Sequence, residues 1–368
     1  MTLRRSGLIL LAALAAAGAR ASDHLDTPTV IANPSADIGD FYAWMSADGR
    51  SLNMVMDIVG HTFSDRLDYV FHIDSGPRFG KTPVSLTITC RFPDGAAECE
   101  DDGYEKVRTS VFAGLRDDPF FNNVKGTRDA YKVASAALKA GAPLDKAGCP
   151  AFDHATVEGV REQFRHTDGG PASNFLKGWL TSAIVLSIDI EAAARGGPVL
   201  ALWSATATKE KQIDRLGRPM SKNALLGLFT TDEQTFALRE EYNLASPATA
   251  QRFIPEIERA LALYDGFDGV CGNQLMAGKP GPSRYHALAA LLADDRLWVD
   301  SRYQACSRLM AVERGIAGDC GGRPPSMNAA NAWRSLLVDG ADSGFDDGLD
   351  HDEIAPSDSI FPFLAPPQ

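Results

Sequence analysis

The sequence predicts an α+β fold, with an antiparallel β-sheet or sandwich in the N-terminal half and α-helices mainly in the C-terminal half. Residues 51–92 alternate apolar and polar side chains in runs of strand length, the period-two signature of a half-buried sheet. Helix-start signals, Thr231-Asp232-Glu233-Gln234 as a capping box and Ser246-Pro247 as a cap with proline at the first helical position, lie past the middle of the chain. Beyond them, apolar residues recur at helical spacing.

The first predicted strands are Leu52–Met56, Asp68–Ile73 and Val84–Thr89. Cys90 and Cys99 stand symmetrically about Asp94-Gly95, a dipeptide suited to a type I′ turn, so the third strand should close a hairpin. In that register the two cysteines face each other at a non-hydrogen-bonded position, where antiparallel backbones come closest. Residues 94–125 are loop-rich and read as a partly ordered insertion. Further strands are expected at Ala183–Ile190 and Val199–Thr208, separated by a turn at Gly196-Gly197-Pro198. Helices should begin at Thr231 and Ser246 and span Ser283–Asp295, Ser301–Gly315 and Asn328–Asp339, the last ended by Gly340.

Residues 1–21 have the parts of a secretory signal: Arg4 and Arg5, an apolar run from Leu8 to Ala17, and Ala19-Arg20-Ala21 before the expected cut. The mature protein is then exported, to the periplasm or the medium. No transmembrane segment should remain after cleavage, since the apolar run is short and the later stretch 179–190 is interrupted by Asp189. The formal charge of −12 becomes more negative once the leader's arginines go, which disfavours nucleic acid and anionic membranes and is mildly favourable to divalent cations. Six cysteines without a Cys-x-x-Cys pair, in an oxidising compartment, predict structural disulfides. After Cys90 with Cys99, we expect Cys306 with Cys320, which leaves Cys149 with Cys271.

The two ends of the mature chain are its most distinctive parts. It opens on Ser22-Asp23-His24-Leu25-Asp26-Thr27-Pro28 and closes on Phe361-Pro362-Phe363-Leu364-Ala365-Pro366-Pro367-Gln368. Between them stand Asp37-Ile38-Gly39-Asp40-Phe41-Tyr42-Ala43-Trp44, Leu115-Arg116-Asp117-Asp118-Pro119-Phe120-Phe121, Ile213-Asp214-Arg215-Leu216-Gly217-Arg218-Pro219 and Cys320-Gly321-Gly322-Arg323. In number and order these segments resemble the secreted bacterial family catalogued as domain of unknown function 4331, although Leu25-Asp26 stands where that family usually has Arg-Glu. Length alone admits two domains; the resemblance implies one, residues 22–368. It implies export and no established activity.

Three groups of residues are candidates for metal chemistry. A mature terminus at Ser22 would let the free amine, two backbone amides and the His24 imidazole wrap Cu²⁺ or Ni²⁺ in a square plane. The acidic tail from Asp342 to Glu353 offers closely spaced oxygen ligands with glycines for a tight turn, as a Ca²⁺ loop requires, with Asp346, Asp350 and Asp352 the first choices. Its spacing does not fit the EF-hand pattern, and a solvated acidic loop reads equally well. Asp37 and Asp40, with Asp26 upstream and Asp117-Asp118 later, could converge with His24 on one cation, although acids before strands more often cap turns.

Arg215 and Arg218 are candidate grips for a carboxylate or phosphate, against a buried ion pair as the simpler reading. His61, His72, His154, His166 and His286 are scattered. The zinc-protease, covalent c-type haem, nucleophile-elbow, P-loop and dinucleotide signatures are all missing, so no nucleotide or c-type haem cofactor is expected. The sequence therefore favours a non-catalytic, divalent-cation-binding envelope or extracellular protein with a structural or partner-binding role. Its rivals are a metal-dependent enzyme built on His24 and nearby aspartates, and a carbohydrate- or peptide-binding sandwich with Tyr42, Trp44 or Trp203 as its stacking platform.

Overall fold

The computed structural model describes residues 25–103 and 108–368; the expected leader and His24 lie outside the described residues. The helix α1 (Pro28–Ala32), capped by the Thr27 side chain, leads into strands β1 (Ile38–Met45), β2 (Ser51–Ile58), β3 (Asp68–Gly76), β4 (Val84–Arg91), β5 (Glu98–Asp101) and β6 (Thr109–Asp117). Helices α2 (Val124–Lys139) and α3 (His154–Phe164) follow, then a small ladder of β7 (His166–Thr167) and β8 (Gly170–Pro171). The chain continues through β9 (Leu180–Asp189), α4 (Ile190–Ala193), β10 (Val199–Ala207) and β11 (Gln212–Leu216). It finishes with α5 (Ser221–Leu225), α6 (Asp232–Leu244), α7 (Ile254–Asp265), α8 (His286–Ala293), β12 (Leu297–Asp300) and α9 (Ala329–Val338).

Two antiparallel sheets stack as a sandwich. One has the order β1-β2-β9-β6; the other runs β11-β10-β3-β4-β5, with β12 sharing the β10 edge with β11. Alternation decides what lies between them: Phe41, Ala43, Met54, Met56, Ile184 and Leu186 from the first sheet meet Phe71, Ile73, Ile88, Leu200 and Leu202 from the second. The opposite face of β1-β2-β9 is buried too, because the C-terminal segment lies over it. Phe363 and Leu364 pack on Tyr42, Trp44, Val55, Ala183 and Val185. Trp44 meets Phe363 edge-on with ring centroids 4.8 Å apart and donates its indole N–H to the Asp358 carbonyl at 2.9 Å. A second core gathers the helices around Ala130, Val160, Leu225, Ile257, Leu288 and Trp333.

The division into a strand half and a helix half is not clean, since α2 and α3 sit inside the strand sequence and β12 lies within the helical half. Residues 94–125 are not an insertion: they contain β5 and β6, and β6 pairs with β9 along its whole length. No helix forms over 301–315, which runs in turns. There the Ser301 amide donates to the Pro198 carbonyl, and Cys306 is tied to Cys320, so the backbone is committed elsewhere. The capping box at Thr231 and the helix behind Asn328 form as expected.

All six cysteines are paired as expected. Cys90 and Cys99 are direct ladder partners with Cα atoms 4.0 Å apart. Their turn differs from type I′, since Gly95 is left-handed at φ +80° and Asp94 is not. The Gly95 amide donates to the Phe92 carbonyl, which puts Pro93 and Asp94 at the centre of a type I turn. Replacing Cys90 and Cys99 together with alanine is expected to cost about 2–3 kcal/mol on the loop-closure account, read from denaturant midpoints. Among the described residues no helix is long and apolar enough to cross a membrane.

Candidate functional site

The segments that stand out in the sequence deliver their charged side chains to the interior, at two separate places. The first lies on the outer face of β1-β2-β9, beneath the C-terminal segment. With Phe41 and Ala43 in the core, strand alternation turns Asp40, Tyr42 and Trp44 to the other face, and Asp40 lies directly opposite Asp57 of β2. Like charges directly opposite in an antiparallel pair repel, and here both are withdrawn from water, Asp57 completely. Asp118, just past β6, joins them. Its Oδ1 accepts the Phe120 amide at 3.0 Å, and its own amide donates to the Trp179 carbonyl at 3.0 Å. Thr181 of β9 and the Tyr42 hydroxyl are buried in the same region.

The counter-charge is Arg323, and the glycines before it explain how it arrives. Gly321 and Gly322 are both left-handed, and a Cβ on Gly322 would stand 2.4 Å from the Ala43 carbonyl oxygen. Only a chain without that carbon can lie against β1 and β12 at once. The Gly322 amide then donates to the Trp298 carbonyl, while Arg323 exchanges both backbone hydrogen bonds with Ala43. The Arg323 guanidinium reaches Asp40 Oδ1 at 2.6 Å, donates to the Phe41 carbonyl at 3.1 Å and lies 4.1 Å from the centroid of the Tyr42 ring.

One guanidinium does not satisfy this group. Asp40 Oδ2, Asp118 Oδ2 and Tyr42 Oη are buried without a hydrogen-bond partner among the described residues, and the Thr181 hydroxyl is the one neutral group drawn to the Asp57 carboxyl. Burial pushes the Asp57 and Asp118 carboxyls well above the ordinary carboxylate range, helped by repulsion from Asp40. Asp40 is raised by burial as well, against the pull of Arg323. Fully ionised, the three acids and Arg323 leave two negative charges without a counter-ion.

The second centre gathers Asp26, Asp37, Asp214 and Lys222, all buried. Lys222 Nζ stands 2.9 Å from Asp214 Oδ1 and 3.1 Å from Asp26 Oδ2. Burial first, then Asp214 and Asp26, push the Asp37 carboxyl well up, and burial pushes Asp214 up to about 6. The expected convergence of Asp26, Asp37 and Asp40 on one cation is thus corrected: Asp26 and Asp37 belong with Lys222, Asp40 with Asp57 and Asp118. His24 falls outside the described residues.

The tail acids also divide. Asp346 takes Arg165 bidentately at 2.9 Å, Asp350 is exposed beside His351, and Asp352 accepts from the Asn174 amide at 3.0 Å. A calcium loop of Asp346, Asp350 and Asp352 is therefore not assembled. Asp346, Asp350, Asn328, Asn331, Met327 and Leu349 instead line an open groove of about 880 Å³ at the start of α9.

Burial, with Asp117 and Glu353 close by, pushes Asp352 up to about 7. Its raised value stabilises the docked tail fully below the ordinary carboxylate range, and that contribution is lost as pH rises through about 7. Protection of the tail amides, relative to base-catalysed intrinsic exchange, should accordingly fall as pH rises through about 7, and Asp352→Asn should flatten that dependence in hydrogen-exchange measurements. Asp117, Glu353, Asn174 and Lys177 are the polar groups that frame this contact.

Arg215 and Arg218 are not free to grip an anion. Arg215 is buried against Asp295, donates to the Tyr242 carbonyl and stacks on the Tyr242 ring; Arg218 pairs with buried Glu313 at 2.9 Å. Tyr42 and Trp44 are buried, and Trp203 is half-buried with one face stacked on His72, centroids 3.8 Å apart, so the three do not make a shared aromatic platform. Among the described residues, the set of His, Cys, Asp or Glu groups with three ligand atoms within 4.8 Å of one another is Cys149, Asp265 and Cys271. Two of those are disulfide sulfurs and offer no thiolate. Asp40, Asp57 and Asp118 stand farther apart than that as a set.

Sequence reasoning passed over Asp57, Lys222 and the role of Arg323. Comparison of the chain with family models, with curated proteins and with solved structures gives no match. Fold and site together define an antiparallel β-sandwich with helical additions, three disulfides and two buried carboxylate-rich centres.

Proposed function

We propose that this is an exported, non-catalytic protein that binds a hard divalent cation at Asp40, Asp57 and Asp118, within the family catalogued as domain of unknown function 4331. The observation that carries the reading is the set of buried oxygens, Asp40 Oδ2, Asp118 Oδ2 and Tyr42 Oη, without a hydrogen-bond partner among the described residues, beside the Asp57 carboxyl that only the Thr181 hydroxyl faces. Buried polar atoms in native proteins are satisfied by protein, water or an ion, and carboxylates with hydroxyls are the ligand set hard cations prefer. A divalent ion also matches the two negative charges that Arg323 leaves over. The three acids are not drawn within 4.8 Å of one another, so a cation held there would need water as well as protein oxygens to complete its shell.

The ion's role is structural: it ties β1, β2 and the β6 end to the 320–323 segment beneath the C-terminal cover. That cover then presents the acidic groove to an envelope or extracellular partner. An enzyme would place its perturbed carboxylates in the cleft, whereas the groove is lined by other acids. Elemental analysis of protein exported by a bacterial host and purified without chelators tests the proposal. One calcium or magnesium per chain is expected, lost in Asp57→Asn with Asp118→Asn; metal-free protein whose stability ignores added calcium and magnesium overturns it.

A further inference from the structure

The second buried centre, around Lys222, has a chemistry of its own. We propose that Lys222 and Asp214 form an intramolecular amide cross-link, made without an enzyme from the buried amine and the carboxyl it touches, with loss of one water. A lysine ammonium buried completely among carboxylates is costly, and a fully buried ion pair is at best weakly stabilising. An amide removes both charges while keeping the contact.

The geometry is that of a poised nucleophile. Lys222 Nζ lies 2.9 Å from Asp214 Oδ1, and strand and helix hold both partners in place: Asp214 is inside β11 and Lys222 in α5. Met220, ahead of α5, is left-handed at φ +60°, a conformation a non-glycine residue takes at a cost. The Asp214 carboxyl accepts two backbone amides, Ile38 at 2.9 Å on Oδ2 and Arg215 at 2.8 Å on Oδ1, which would stabilise a tetrahedral oxyanion. Asp26 Oδ2 stands 3.1 Å from the same nitrogen as an ion pair, and neither Asp26 oxygen accepts a hydrogen bond among the described residues.

The step balances without oxidant, reductant or co-reactant. Asp26 takes a proton from the Lys222 ammonium, and the freed nitrogen pair attacks Cγ of Asp214, so a C–N bond forms. One C–O bond then breaks. The two protons that leave nitrogen, one carried by Asp26, depart with that oxygen as water, and Asp26 ends as it began. Apposition in a water-excluded core supplies the effective concentration that lets an unactivated acid react and keeps water from reversing the step.

Intact mass spectrometry of the exported full-length protein, reduced and denatured, tests this directly. The chain should be lighter than its sequence by one water, and proteolysis should give a branched peptide joining residues 212–216 to 221–225. Lys222→Met should restore the full mass. The wild-type spectrum decides even where that variant fails to fold. A full-sequence mass overturns the proposal, as does a water-light chain without a branched peptide, and a branch onto Asp26 overturns the choice of Asp214. None of these outcomes depends on whether a cation occupies the Asp40, Asp57 and Asp118 centre.

Discussion

Removing divalent cations is expected to lower the melting temperature by on the order of 5 °C. A ligand at a thousand times its dissociation constant stabilises by about 4 kcal/mol, and a chain of this length shifts by one to a few degrees per kcal/mol. The pH dependence should also change sign. Without the ion, Asp57 and Asp118 titrate well above the ordinary carboxylate range, so their contribution is complete below that range and is lost as pH rises through their folded values. With the ion bound they are ionised, protons compete with metal, and stability falls as pH is lowered. Thermal melts in excess calcium, excess magnesium and chelator, each at acid and mildly alkaline pH, should show both effects, and Asp57→Asn should abolish both.

Arg323→Ala is expected to destabilise the fold by about 3–5 kcal/mol, the cost of stranding one partner of a buried pair. The variant strips Asp40 of its ion-pair partner and the Phe41 carbonyl of a donor, and removes the guanidinium from the Tyr42 and Phe120 rings. Pairing Arg323→Met with Asp40→Asn should recover most of the loss, because both charges then leave together and a stem of similar length fills the space. Denaturant unfolding of the two singles and the double gives the coupling. A single-variant loss under about 1 kcal/mol would mean that water already reaches the pair.

Much of the sandwich was legible because its local rules are strong. Alternation marked β2, β3 and β4, and the symmetric cysteines gave the hairpin register. The strand β6 was not legible, since Thr109–Asp117 is half-exposed along most of its length and shows little contrast between faces. The centre was half legible. Asp40 and Asp118 stood in conspicuous segments, but Asp57 lay at an outward strand position that would ordinarily meet solvent. The C-terminal segment covers Tyr42, Trp44 and Val55 on that face, and Arg323 arrives from more than 260 residues away, so no local pattern carries that information. The tail misled for the converse reason: its acids are close in sequence, yet Asp346, Asp347 and Asp352 are each drawn to a different partner, Arg165, Arg334 and Asn174.

The most direct measurement is anomalous diffraction from crystals of the full protein grown in Mn²⁺, standing in for Mg²⁺ or Ca²⁺. The account expects one strong peak among Asp40, Asp57 and Asp118, with oxygen neighbours at about 2.0–2.6 Å, protein and water together. A map with no peak there, or with its only peak on the tail acids Asp346 and Asp350, would contradict it.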